Sequence, residues 1–413
     1  MADNQDMYLG IDISSKYTIL SVYNVNMDEP QTVSTVVGTE NYTIPTAIAK
    51  KNCLSQWYFG DEAIRQSRLH EAVLVEELFN LALKNGQVIM DGQPFHAREL
   101  LVIFFKKLFT IPGPMSAIQS VGKIVFSLEK VDFDTMELMN YLIQELKIDA
   151  KKLLLLDRRE SFYYYALSQN ASLFTYDVAL FDFSGSNLVS CMLHRNSNTR
   201  PQVVDIDLVN HGQVVDNKDG RFLDIIGDTF GNKIISSVYL VGDGFDGDWM
   251  KESLSKLCRG RKVYLGKNLY SKGASYAGAV KGAGLDWPFI YIGDNDLKLN
   301  LSIRILDDNE MKFFTLIDAG QSWYDAKGEC EVIIDGPYEI EFYIQRPESR
   351  DAHMEVLELT DMPVRENRTT RVRIEARPIS DKSVTITIVD LGFGEISPGS
   401  GKTWEHTITL KQE

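Results

Sequence analysis

One pattern occurs twice in this chain and limits what it can fold into: an apolar strand ending in an aspartate, a short polar turn, and a second strand. The first copy is YLGIDISSKYTILSVY, with Gly10 and Asp12 leading into Ser14, Ser15 and Lys16. The second is TYDVALFDFSGSNLVSCMLH, with Asp182 ahead of Ser184, Gly185, Ser186 and Asn187. Both predict β-hairpins with polar tips. Backbone N–H groups in such a tip can converge on an anion. Two facing tips can grip a polyphosphate while Asp12 and Asp182 hold hydrated magnesium. Taken alone, either tip reads as an ordinary hairpin capped by Asp and Ser.

Between the hairpins the pattern is mixed. YTIPTAIAK and QWYFGDEAI read as strands, RELLVIFFKKLF has the spacing of a buried helix, and SVGKIVFSLEK, DTMELMNYLIQELKI and KKLLLLDRRESFYYYALS predict one β-α-β-α unit. After the second hairpin, ISSVYLVGDGFDGDWMKESLSKL reads as a buried strand, a Gly/Asp turn and a helix. Beyond Gly284 helical periodicity stops, and short alternating runs such as LKLNLSIRIL, YEIEFYIQ and SVTITIV predict an antiparallel β-domain, with LDWPFIYIGDND as the junction. The expected domains are therefore 1–284, with lobes at about 1–175 and 176–284, and 285–413.

A chain of 413 residues with 44% hydrophobic content is long enough for two or three packed domains. A formal net charge of -15 repels polyanions, so neither nucleic acid nor an anionic membrane is an expected partner. Cys53, Cys191, Cys258 and Cys330 form no CxxC pair, and the six histidines show no metal-ligand spacing. With no apolar run before the first strand and none of membrane-spanning length, the expected compartment is the cytoplasm.

The order of these parts resembles the seventy-kilodalton heat-shock chaperones of the actin-like ATPase superfamily. GIDISSKYT resembles their first phosphate loop, Gly-Ile-Asp-Leu-Gly-Thr-Thr, and FDFSGSNLVSCML their second, Phe-Asp-Leu-Gly-Gly-Gly-Thr. VYLVGDGF, with Gly242, Asp243, Gly244 and Phe245, resembles their adenosine loop, and KNLYSKGASYAGAV the helix that follows it. YTIPTAIA and FGDEA match the segments after the first loop. PFIYIGDNDLKLNLSIRI sits where the family has its interdomain linker, and VLELTDMPVRENRTTRVRIEARPISDKSVTITIVDLG resembles the end of its substrate domain. The resemblance implies an α/β actin-like, ribonuclease-H-like ATPase core followed by an all-β sandwich. It further implies ATP or ADP with magnesium held through Asp12 and Asp182, and a protein partner on the β-domain.

The departures bear on activity. Ser14 replaces a glycine and Lys16 a threonine in the first loop, which hinders close backbone approach to phosphate. Ser184 and Ser186 replace glycines in the second, Asn187 stands at a threonine, and Val189 takes the place of a second aspartate. LLDRRESF falls where the family has a Glu-Pro pair, and the family's catalytic lysine has no secure counterpart near HEAVLVEELF. Only about 45 residues separate the second loop from VYLVGDGF, where the family inserts a subdomain that closes over adenine. Asp307, Asp308, Asn309 and Glu310 replace apolar residues of the peptide cleft, where desolvated carboxylates would be costly. The expectation is a chaperone-like protein with a degenerate nucleotide core, the alternative being an active ATPase or small-molecule kinase. GSGKT, from Gly399 to Thr403, lacks the spacing of a phosphate loop and reads as a hairpin tip; Phe162 to Tyr165 read as core.

Overall fold

Met7–Ile13 is buried along nearly its whole length, as a continuous apolar run requires of a strand covered on both faces. The computed structural model describes residues 7–35, 41–111, 121–294, 296–324, 326–349 and 351–410. The acidic lead ahead of Met7 and Asn295 of the expected junction lie outside them. Met7–Ile13 pairs antiparallel with Tyr17–Asn24 on one side and parallel with Lys123–Leu128 on the other. Leu153–Asp157 continues the sheet in parallel, while Gln31–Thr32 and Ile44–Pro45 pair with Tyr17–Asn24. Numbered along the chain, the main strands lie in the order fifth, fourth, first, second, third.

The second hairpin starts a sheet of the same order. Asp177–Ser184 pairs antiparallel with Asn187–Asn196 and parallel with Ile235–Val241, and Lys262–Leu265 continues beyond Ile235–Val241. Gln202–Gln213 lies beside Asn187–Asn196 and completes the order. Phe181, Phe183, Leu188, Phe222, Leu240 and Phe245 belong to one buried cluster under this sheet. The helix Lys218–Phe230, which contributes Phe222 to that cluster, had no counterpart in the expected pattern.

Two helices bring the hairpins' surroundings together. Arg158–Leu167 starts directly after the strand Leu153–Asp157, because the Asp157 side chain accepts the Glu160 N–H at 2.8 Å and caps the first turn. Phe162, Tyr163 and Tyr164 on this helix are buried, as expected of core, whereas Tyr165 is only half-buried. Leu269–Ala283 packs on Met7–Ile13, Lys123–Leu128 and Arg158–Leu167. Its small residues allow backbone contact: a Cβ on Gly10 would overlap the Ser271 carbonyl oxygen, and one on Gly273 would overlap that of Ser161.

The chain divides into two compact units, residues 1–194 with 206–287, and residues 195–205 with 288–413. The break after Trp287 lies close to the junction expected from composition. That 195–205 joins the second unit was not expected. There Gln202 to Val204 pair in parallel with Phe289 to Tyr291.

The rest of the second unit is β-rich. Glu310–Ile317, Asn300–Asp307, Glu339–Gln345 and Ala352–Glu358 form one sheet in that order. Gly328–Ile333, Arg371–Ser380 and Ser383–Phe393 lead a second, in which Ser397–Pro398 and Thr403–Thr409 both pair with Ser383–Phe393. Alternate residues of both sheets, among them Ile303, Phe342, Ile374 and Ile386, fill one hydrophobic cluster. Asp308 and Asn309 sit at the tip of a hairpin with positive φ.

The GSGKT segment is not a hairpin tip. It links two strands that pair with successive stretches of the same partner, and Ser400 donates from both N–H and Oγ to Asp390. Among the described residues no helix is long and apolar enough to cross a membrane.

Candidate functional site

The two aspartates that end the first strand of each sheet lie close to one guanidinium. Arg158, the first residue of its helix, donates from Nε and Nη2 to Asp12 Oδ1 at 3.3 and 3.1 Å. Its Nη1 lies 3.9 Å from Asp182 Oδ2. Nη2 also reaches the Tyr17 hydroxyl at 3.4 Å, and the guanidinium carbon lies 5.0 Å from the centre of the Tyr270 ring. Tyr270 in turn donates its hydroxyl to Asp182 Oδ2 at 2.8 Å, and Ser184 donates to Asp182 Oδ1 at 2.5 Å. The planar fork of an arginine can serve two carboxylates with fixed donors while its face lies against an aromatic ring.

Burial dominates the electrostatics. The Asp12 side chain is 1% exposed. Its Oδ2 has no hydrogen-bond partner among the described residues. Burial pushes the Asp12 carboxyl up, and the Arg158 charge pulls it back. Burial also works against the charge of Arg158, but Asp12, Tyr17 and Asp182 more than offset it, so the guanidinium stays charged. The Tyr17 and Tyr270 hydroxyls are pushed far up, mainly by burial. Burial, with Asp182 adding to it, drives the Cys191 thiol to about 12, which makes it a poor nucleophile.

Several backbone donors of both tips already have partners. In the first, Ser14 Oγ accepts from the N–H groups of Lys16 and Tyr17 at 3.3 and 3.1 Å, while the Ser14 N–H donates to the Tyr17 carbonyl. In the second, the Gly185 N–H donates to Asp243 Oδ1 at 2.6 Å. Ser186 offers its carbonyl to the Val214 N–H, and Asn187 pairs across the tip with Ser184.

The segment from Gly242 to Phe245 lies against the second hairpin. Gly242, at φ 103°, takes a conformation that side chains disfavour, and a Cβ there would overlap the Phe183 carbonyl. A Cβ on Gly244 would enter the Phe183 ring. Phe245 packs on Phe183 and stacks with Trp249, whose Nε1 donates to the Gly244 carbonyl at 3.0 Å. Phe245 is therefore core rather than lining.

Of the residues singled out by sequence, Asp12, Asp182, Ser184, Gly185 and Asp243 engage in these networks. Gly10 serves the helix contact, and Lys16 is exposed at the first tip. Arg158, Tyr17 and Tyr270 were missed as site residues. The one available signal was LLDRRESF, a doubled arginine at a strand end where the resemblance expects Glu-Pro. Among the described residues, no group of three or more His, Cys, Asp or Glu side chains is arranged to hold a metal ion.

Two family profiles match the chain. One, described as a family of unknown function (DUF5716) C-terminal, matches residues 29–294, more than half of the chain. The other, described as a domain of unknown function (DUF8552), matches residues 296–410. No curated protein matches. The first match contains Arg158, Asp182 and Tyr270 and begins after Asp12.

Proposed function

We propose that this chain, which belongs to the DUF5716 C-terminal family of unknown function, is a chaperone-like protein whose actin-like core does not turn over nucleotide. Its partner would be a protein met through the C-terminal β-rich unit. The shared strand order of the two sheets supports a duplicated ribonuclease-H-like core. The single hydrophobic cluster between the last two sheets supports a β-sandwich.

The observation that carries the noncatalytic reading is Arg158 facing both aspartates. A magnesium nucleotide would need those carboxylates for its metal and the tip N–H groups for its phosphates. Instead the carboxylates face a cation of the chain, and the N–H groups of Lys16, Tyr17 and Gly185 have internal acceptors. Magnesium with ATP or ADP does not fit this arrangement.

Isothermal titration with ATP and ADP in magnesium, paired with a phosphate-release assay, tests the reading. The expected result is no saturable heat and no release. Micromolar binding with turnover that Asp12→Ala abolishes would overturn it in favour of a working ATPase or kinase.

A further inference from the structure

We propose that the chain supplies its own substitutes for both halves of a magnesium phosphate group: Arg158 for the cation between Asp12 and Asp182, and Asp243 for the anion at the Gly185 N–H. The two hairpins are then held in place without any small molecule. The inference rests on the chaperone-like reading for what the hairpins would otherwise bind.

Each substitute has the chemistry its place requires. A guanidinium carries a permanent positive charge and several fixed donors, so it can meet two carboxylates that would otherwise repel each other. Arg158 does so from the end of a helix capped by Asp157, with the Tyr270 ring against its face. Asp12 stands on the first sheet and Arg158 on the helix directly after that sheet's strand Leu153–Asp157, whereas Asp182 stands on the second sheet and Tyr270 on the helix Leu269–Ala283. One side chain thus ties the two sheets together.

The Asp243 carboxylate is an anionic acceptor at a glycine N–H, the role a phosphate oxygen plays in such tips. It does not reach there by chance of a mobile side chain. Gly242 is pressed on the Phe183 backbone, and Trp249 fastens the same turn through the Gly244 carbonyl. The carboxylate is delivered by a turn with little freedom to withdraw.

The test uses the full chain and two readouts besides activity. For the cation, thermal midpoints of wild type and Arg158→Ala are measured with and without millimolar Mn²⁺. Wild type is expected to ignore the metal. Arg158→Ala is expected to melt about 10 °C lower, as befits loss of one partner of a buried ionic group, and to recover part of the loss in Mn²⁺. An unmoved midpoint, or one that Mn²⁺ leaves where it fell, overturns the inference.

If Arg158→Ala does not fold, Arg158→Gln serves, since it keeps an N–H donor and removes the charge that faces both carboxylates; a wild-type midpoint for that variant is equally fatal. For the anion, Asp243→Ala is expected to speed hydrogen exchange of the Gly185 amide at least tenfold, and unchanged exchange overturns that half. Phosphate release by wild type that Asp12→Ala abolishes would instead overturn the underlying reading of the core.

Discussion

Removing the Asp390 carboxylate should unfold the second unit far more readily than any surface change there. The Asp390 side chain is 0% exposed and meets Arg365 in a two-point pair, with both nitrogens at 2.7 Å. It also accepts from the Gly392 N–H and from the N–H and Oγ of Ser400. Asp390→Ala strands Arg365 and three further donors. Breaking one partner of a buried pair costs about 3–5 kcal/mol, which for a unit of this size lowers its midpoint by roughly 10–20 °C.

Hydrogen exchange of the Val384 to Ile388 amides along a urea series reads this unit separately from the other. The pH dependence has a definite sign. Burial alone would raise the Asp390 carboxyl, but Arg365 and Ser400 hold it far below the ordinary carboxylate range. A depressed folded value means the stabilisation is complete above the unfolded value near pH ~4 and is lost as pH falls further. Wild type should therefore lose stability below about pH 4, and Asp390→Asn should lose less across the same range. A loss under ~1 kcal/mol for Asp390→Ala, or identical acid limbs for the two proteins, would show that this buried pair does not hold the unit together.

Three other outcomes follow from the geometry. Gly10→Ala must push the Leu269–Ala283 backbone off the Met7–Ile13 strand, so a loss of about 3 kcal/mol or more is expected in urea denaturation. Asp219 accepts from the N–H groups of Lys251, Glu252 and Ser253 at the start of Glu252–Leu257. Asp219→Ala should cost about 1 kcal/mol; the Ser253 hydroxyl and these N–H groups hold its carboxyl at about 2, so the difference from wild type should vanish as pH falls from about 4 towards 2. Tyr270→Phe removes the hydroxyl 2.8 Å from Asp182 while keeping the ring under Arg158, and a thermal scan should show a loss of about 1–3 kcal/mol.

Most elements were legible because their signals are local. RELLVIFFKKLF and DTMELMNYLIQELKI carry helical spacing, and the helices Ala97–Leu108 and Phe133–Glu145 lie there. The hairpins around Ser14 and Gly185 follow from polar tips between apolar runs. The Lys218–Phe230 helix escaped because Gly220, Gly227 and four aspartates between 216 and 228 mask its buried face of Phe222, Ile225 and Ile226. The path of GSGKT was misjudged, since the Asp390 carboxylate that shapes it belongs to another strand. The candidate site was legible in its carboxylates and not in their partner: Arg158 lies 146 positions from Asp12, and nothing in local pattern joins them.

That separation also explains why the departures in the loops point the same way as the geometry. A diffusible ligand stabilises its protein by an amount that rises with its concentration. A side chain tethered beside its partners needs no concentration, only the folding of the elements that carry it. On the proposed reading, once Arg158 meets Asp12 and Asp182, glycines at positions 14, 184 and 186 would have no phosphate to admit. Serines there satisfy the tips from within, as Ser14 and Ser184 do. On the reading proposed above, the polar substitutions and the arginine are one change of chemistry, from a cleft that waits for a charged ligand to one that carries its own.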